Sequence, residues 1–196
     1  MTTKAPLVKL TPRQREGRAI NAVADLLRRT LRVPNIYLEP PSSVIAADVL
    51  AVDSGGAGDL HAVQIRLEKD LAPEGLKARS SDPEELTRAY SEYHPKFQKK
   101  MQVIYRQLMA VPAHFKYLAV PASSFASVFN ELGHLGLFPP DGIGRLGVIT
   151  IEQRKDEPPV VQIAVPAERF RVDSAKLRAI EARILAKNRP DIEVRI

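Results

Sequence analysis

The chain has 196 residues, with Lys+Arg 29 against Asp+Glu 23 for a formal net charge of +6, no cysteine, 44% hydrophobic residues and 27% charged ones. That length and balance predict one domain around one sizeable core, and they exclude a disordered, collagen-like or disulfide-scaffold chain, thiolate catalysis and cysteine-based metal centres. No apolar run approaches the roughly 18 residues that span a bilayer, and the start MTTKAPLVKLTPRQR has no apolar signal-peptide core, so the expectation is a cytoplasmic protein with no membrane partner.

Thr11-Pro12 offers an N-cap followed by proline at the first helical position. Ile20, Val23, Leu27 and Leu31 then recur at helical spacing, predicting a helix over 12–32. Short strands follow at 35–38, 44–52 and 61–67, separated by a Pro-Pro-Ser-Ser break and by the turn Ser54-Gly55-Gly56-Ala57-Gly58, which reads as a hairpin. The polar, Pro- and Gly-punctuated stretch 68–83 predicts a surface loop, and with the short helix after it a possible lid over 68–94.

Asp82-Pro83 starts that short helix, running to about residue 93, and Pro95 opens a longer one whose Phe97, Met101, Ile104, Tyr105 and Leu108 share a face. Its other face carries Lys96, Lys99, Lys100 and Arg106, a solvated face or a phosphate-binding one. A strand at 117–120, a helix over 124–135 capped by Ser123, strands at 146–151 and 160–165, and a helix from Asp173 to about 187 complete the order. This order fits an α/β fold with a central mixed sheet covered on both faces. The expected division is a core over 1–152, led by the basic helix, and a strand and helix extension of the same domain over 153–196.

Charge is uneven along the chain. Residues 1–35 hold eight Lys/Arg against Glu16 and Asp25, while 36–67 hold four acids and only Arg66, an arrangement that attracts a polyanion and keeps carboxylates for a cation. The four histidines are scattered with no i, i+4 pair, which leaves magnesium on carboxylates as the metal chemistry the inventory encourages. There is no Walker-type loop, no Gly-x-Ser-x-Gly elbow and no Gly-x-Gly-x-x-Gly after the first strand, so nucleotide hydrolysis, serine hydrolysis and dinucleotide redox chemistry lack their usual signatures.

Ala47-Asp48-Val49-Leu50-Ala51-Val52, a Gly-rich turn, and Ala62-Val63-Gln64-Ile65-Arg66 together resemble the core of the PD-(D/E)XK, or restriction-endonuclease-like, superfamily. The later strand Lys116-Tyr117-Leu118-Ala119-Val120-Pro121 and the Gly-led Asp141 to Ile149 stretch are similar to its later elements, so the resemblance covers roughly residues 13–152. It implies a restriction-endonuclease-like fold and a site that hydrolyses phosphodiesters with magnesium held by Asp48 and the residue at 64, with the residue at 66 stabilising charge. Here Gln64 stands for the family's Glu and offers no charge, while Arg66 stands for its Lys, unable to act as a base but shaped for bidentate phosphate contact. Glu16 is the displaced counterpart of an acid on the family's first helix.

Strand alternation puts Gln64 and Arg66 on one face, so they meet Asp48 if the hairpin pairs in the family's register. Read without the resemblance, Asp48 caps a turn or pairs with Arg66, and Gln64 is a polar residue on a half-exposed strand. Three functions stay open. The first is a nuclease-fold module with a degenerate Gln-x-Arg site that binds nucleic acid through Arg66 and the helix carrying Lys96, Lys99, Lys100 and Arg106. The second is an active magnesium nuclease whose metal shell Glu16, Asp53 or Glu68 completes; the third is an assembly subunit, of which a homodimer is the common form.

Overall fold

The computed structural model describes residues 11–38, 45–53, 58–71, 83–135, 144–154 and 157–186, with the side chains at 83–91, 181 and 183–186 outside the description. Helix α1 (Pro12–Thr30) starts where the sequence puts its cap: the Thr11 side chain accepts from the Gln14 backbone N–H, and the Gln14 side chain accepts from the Thr11 backbone N–H. Its Ala19, Val23 and Leu27 are fully buried. Strands β1 (Asn35–Leu38), β2 (Val49–Val52) and β3 (Leu60–Ile65) form an antiparallel meander, closed at the β2–β3 hairpin by the Asp53 N–H on the Asp59 carbonyl at 3.0 Å. The Gly-rich turn at 54–57 lies outside the described residues.

Beyond β3 the sheet changes direction. A short helix α2 (Glu68–Leu71) and the long α3 (Pro83–Ala110) lead to β4 (Phe115–Pro121), which runs parallel to β3. One turn of 3₁₀ helix and α4 (Phe125–His134) lead to β5 (Gly147–Glu152), parallel to β4. Strand β6 (Val160–Val165) then adds antiparallel to β5 at the sheet's edge, and α5 (Ser174–Ala186) follows. The six strands are ordered in space as in sequence, a mixed open sheet in an α/β fold.

Both faces are covered. On one, α1 packs Ala19, Val23 and Leu27 against Val49, Ala51, Val63 and Ile65. On the other, α3 and α4 pack Phe97, Met101, Leu108 and Leu132 against Leu118, Val120 and Val148. Helix α5 brings Leu177 and Ile180 onto Leu50, Leu60 and Ala62, so the C-terminal segment both lengthens the sheet and closes this second face.

Three expectations are corrected. Pro95 does not open a helix; it sits inside a single 28-residue α3. Tyr93 stacks on Phe97 across it at 5.5 Å between ring centroids, so the apolar stripe stays in phase and tertiary packing overrides the lost hydrogen bond. The loop expected over 68–83 begins with the short helix Glu68–Leu71, and the short helix expected after it is the first part of α3; 72–82 lie outside the described residues. Ser123 is part of the 3₁₀ turn rather than a cap, and Ser124, at the N-cap of α4, makes no side-chain capping bond. Asp173, by contrast, caps α5 as expected, its Oδ1 accepting from Ala175 N at 2.8 Å and Lys176 N at 3.2 Å.

Pro95 is an exposed interior proline with no N–H to give the preceding turn. Pro95→Ala is therefore expected to raise unfolding stability by about 2 kcal/mol, less than the full helix-interior penalty because proline also restrains the unfolded chain. A urea titration checks it, and a lower midpoint for the variant contradicts it.

Candidate functional site

The antiparallel β2–β3 ladder pairs Val49 with Val63, which brings Asp48, just before β2, beside the end of β3. There the ladder passes from main chain to side chain. The Asp48 backbone N–H donates to the Val63 carbonyl at 2.9 Å, and its Oδ2 accepts the Ile65 N–H at 2.6 Å, standing in for a strand carbonyl. Arg66 follows β3 and is held by its own N–H on the Ala119 carbonyl of β4 at 2.9 Å. Its Nη1 donates to the Ile65 carbonyl at 2.7 Å and lies 3.4 Å from Asp48 Oδ2.

Gln64 is fully buried beneath α3. The hydrogen-bond network assigns its amide orientation: the nitrogen donates to the Ile104 carbonyl at 3.3 Å and the oxygen accepts from Arg66 Nη2 at 2.5 Å. The guanidinium thus holds both Asp48 and Gln64, and the three residues singled out in sequence converge around it. Of the five Arg66 N–H donors, three are used among the described residues, leaving two for an incoming acceptor.

Burial pushes the Asp48 carboxyl above its usual range; the Ile65 N–H and Arg66 pull it down, while the charges of Glu16 and Asp70 push it up again. Glu16 is accordingly a neighbour in the field of Asp48, but its Oε2 is taken by Lys69 Nζ at 2.8 Å. The Lys69 pKa is raised by that hydrogen bond, and the residue was not among those expected here; its place in Glu68-Lys69-Asp70, directly after Arg66-Leu67, is the signal that could have found it. Asp53 does not complete the site. It closes the far end of β2, five residues or about 16 Å along the strand from Asp48. Glu68 is exposed at the start of α2 and lines a neighbouring cavity instead.

The donor set does not fit a divalent cation. A metal on Asp48 and Gln64 would have one carboxylate, already bonded to Ile65 N–H, and one neutral oxygen, already bonded to a guanidinium whose charge would oppose it. Among the described residues no group of three or more His, Asp or Glu is placed to hold an ion. Two histidines are nonetheless less scattered than their spacing implied. His114 Nδ1 accepts from Leu60 N at 3.0 Å and lies 3.4 Å from Asp59 Oδ1, while buried His61 stacks on Phe115 and its pKa is lowered by desolvation.

Helix α3 returns antiparallel to β3, since it joins two parallel strands. Ile104 and Gln107 lie at Gln64, and Lys100 is seven residues before Gln107, about 10 Å along the same stripe toward the end of the sheet where Arg66 stands. Lys96 shares that flank, whereas Lys99 and Arg106 point away from the core on the exposed side.

Because the fold disfavours an ionised Asp48, stability from this group grows as pH falls through its raised folded pKa toward the unfolded value of 3.8. Asp48→Asn keeps an acceptor for the Ile65 N–H without the buried charge, and is expected to be at least as stable as the parent at neutral pH, the gap closing on acidification. Asp48→Ala leaves that N–H unpaired and is expected to lose about 1–3 kcal/mol. Thermal unfolding of both variants across pH checks the pair; an Asn variant as unstable as the Ala variant contradicts it.

No family model, curated protein or solved structure matches the chain. No helix among the described residues is long and apolar enough to cross a membrane.

Proposed function

We propose that the chain is a nuclease-superfamily module that binds nucleic acid and has exchanged metal-dependent cleavage for a guanidinium-centred site. The observation that carries this reading is Arg66 donating to Gln64 and lying 3.4 Å from Asp48, with two donors left over. In that position the guanidinium neutralises the acid and offers a phosphate a charge-assisted bidentate contact. Support for the superfamily comes from the order of elements, a helix, a three-strand meander and two parallel crossovers, with Asp48, Gln64 and Arg66 at the acid, Glu and Lys positions of the resemblance. Support for nucleic acid comes from the Lys96–Lys100 flank of α3 leading toward Arg66, and from the net charge of +6.

The chemistry this allows is recognition. Phosphate oxygens meet Arg66 and the lysines, and without a base at 66 or a second carboxylate at 64 nothing in the trio activates water. With about four cations contacting phosphates, affinity for a DNA duplex is expected to fall on the order of a hundredfold between ~50 and ~200 mM salt. Fluorescence anisotropy with a labelled duplex and single strand reads this directly. Lys96→Glu with Lys100→Glu should weaken binding at least tenfold, and binding indifferent to both salt and charge reversal contradicts the reading.

A further inference from the structure

A cavity of about 400 Å³ opens beside the Asp48–Arg66 pair, at the carboxyl ends of the parallel strands β3, β4 and β5. Open α/β sheets bind ligands in this position, and the volume lies within the roughly 300–1,000 Å³ of small-molecule sites. Its floor is apolar: Leu67 after β3, Pro121 at the end of β4 and Ile151 in β5 are all buried. Its rim is exposed and charged in both senses, with Arg15 and Lys69 against Glu68 and Glu152, and with Ser123 and Gln153 between them. Lys69 ties the rim to the site already described through its bond to Glu16, and Leu67 is the residue after Arg66.

Those features select a ligand class. An apolar floor with no charge on it suits a flat ring system rather than a hydrated ion. Two carboxylates on the rim exclude a stretch of bare phosphates, which two cations alone would welcome, and they favour a ring that presents N–H donors at its edge. The cations are then left for an anionic group on the same molecule. A single nucleotide with an amino-bearing base meets all three conditions, and the volume admits one nucleotide rather than a strand.

We propose that this cavity binds one nucleotide, either free or as an unpaired or terminal residue of a longer strand, with its base on Leu67, Pro121 and Ile151, its base edge toward Glu68 and Glu152, and its phosphate between Arg15 and Lys69. The inference rests on the nucleic-acid reading and deepens it: the basic flank of α3 and Arg66 hold the strand, and the cavity takes one base out of it. Glu152 accepts a rim bond from Arg154 Nε at 3.4 Å, and the exposure of both groups keeps that contact exchangeable.

The test is a titration of guanosine monophosphate, uridine monophosphate and inorganic phosphate into the full chain, followed by backbone amide shifts, with a labelled single strand titrated in parallel. Expected are saturable shifts at Leu67, Ser123 and Gln153 with the guanine nucleotide, at least tenfold tighter than inorganic phosphate and tighter than the uracil nucleotide. Ser123→Trp, which fills the mouth from an exposed position, should weaken that binding at least tenfold, and Gln153→Trp serves if the first variant does not fold. Strand binding without nucleotide binding overturns the cavity assignment and leaves the nucleic-acid reading standing; absence of both overturns the two together. Nucleotide binding untouched by the tryptophan variants, or matched by inorganic phosphate, also overturns it.

Discussion

Gly147→Ala is expected to destabilise the protein by about 3 kcal/mol, at the upper end of what overpacking one methyl group usually costs. Gly147 opens β5 directly opposite Tyr117 of β4. A Cβ built there meets the Tyr117 ring on one side, with Cε1 at 2.5 Å, and the Ala167 backbone nitrogen at 2.8 Å on the other. A ring edge alone could turn aside, but the backbone nitrogen cannot, and Tyr117 is itself only 3% exposed in a packed core. The parallel β4–β5 pair must therefore move where Tyr117 and Gly147 face each other. Urea unfolding measures the loss, and Gly147→Ala with Tyr117→Leu should recover part of it because the two sites share one space. A single variant within about 1 kcal/mol of the parent contradicts the packing described.

Lys116→Met is expected to act in the opposite direction. Lys116 is 5% exposed on β4, where its Nζ donates to the Met109 carbonyl in the last turn of α3 at 2.7 Å and lies 4.8 Å from the Phe170 ring centroid. Desolvation lowers its pKa from 10.5 to about 8. A lysine lowered on folding binds fewer protons in the folded than in the unfolded chain between those values, so stability rises with pH across that window and the penalty is fully present below it. The shift corresponds to roughly 3 kcal/mol. Tyr105 and Tyr117, both raised by burial from 10.0, add the opposite slope only from about pH 10 upward. Between pH 8 and 10 the parent should gain stability and Lys116→Met should stay flat, while at pH 7 the variant should be about 1–2 kcal/mol more stable, the remainder offset by the lost bond to Met109 and the lost ring contact. A parent without that slope contradicts a desolvated Lys116.

Much of the fold was legible because its signals are local. Thr11-Pro12, the Asp173 cap, the strand at 160–165 and the hairpin between β2 and β3 each need only a few neighbouring residues, and each stands where the sequence puts it. Pro95 was misread for the same reason: its local signal opens a helix, but Tyr93 and Phe97 pack through it. In the site, Asp48, Gln64 and Arg66 were singled out by the resemblance, and strand alternation with one register accounts only for their meeting. What spacing did not reveal is that Arg66 would take the acceptor atoms of both partners, that Glu16 would be held by Lys69, and that Asp53 would sit at the wrong end of β2. Those outcomes depend on side-chain reach across elements. Lys116 had no local signal, since its burial comes from α3 and Phe170, far apart in sequence.

Under the proposed function Arg66, and not a metal, organises Asp48 and Gln64 for binding without cleavage. The most direct test of that function is calorimetric titration of magnesium and manganese into the protein and into Asp48→Ala, with single- and double-stranded DNA and RNA incubated in the same samples. Expected are no metal binding that depends on Asp48, strands bound with or without magnesium, and strands recovered intact. Metal binding lost in Asp48→Ala together with magnesium-dependent cleavage would contradict that function, and would mean that Arg66 swings aside to leave a working, rearranged nuclease site.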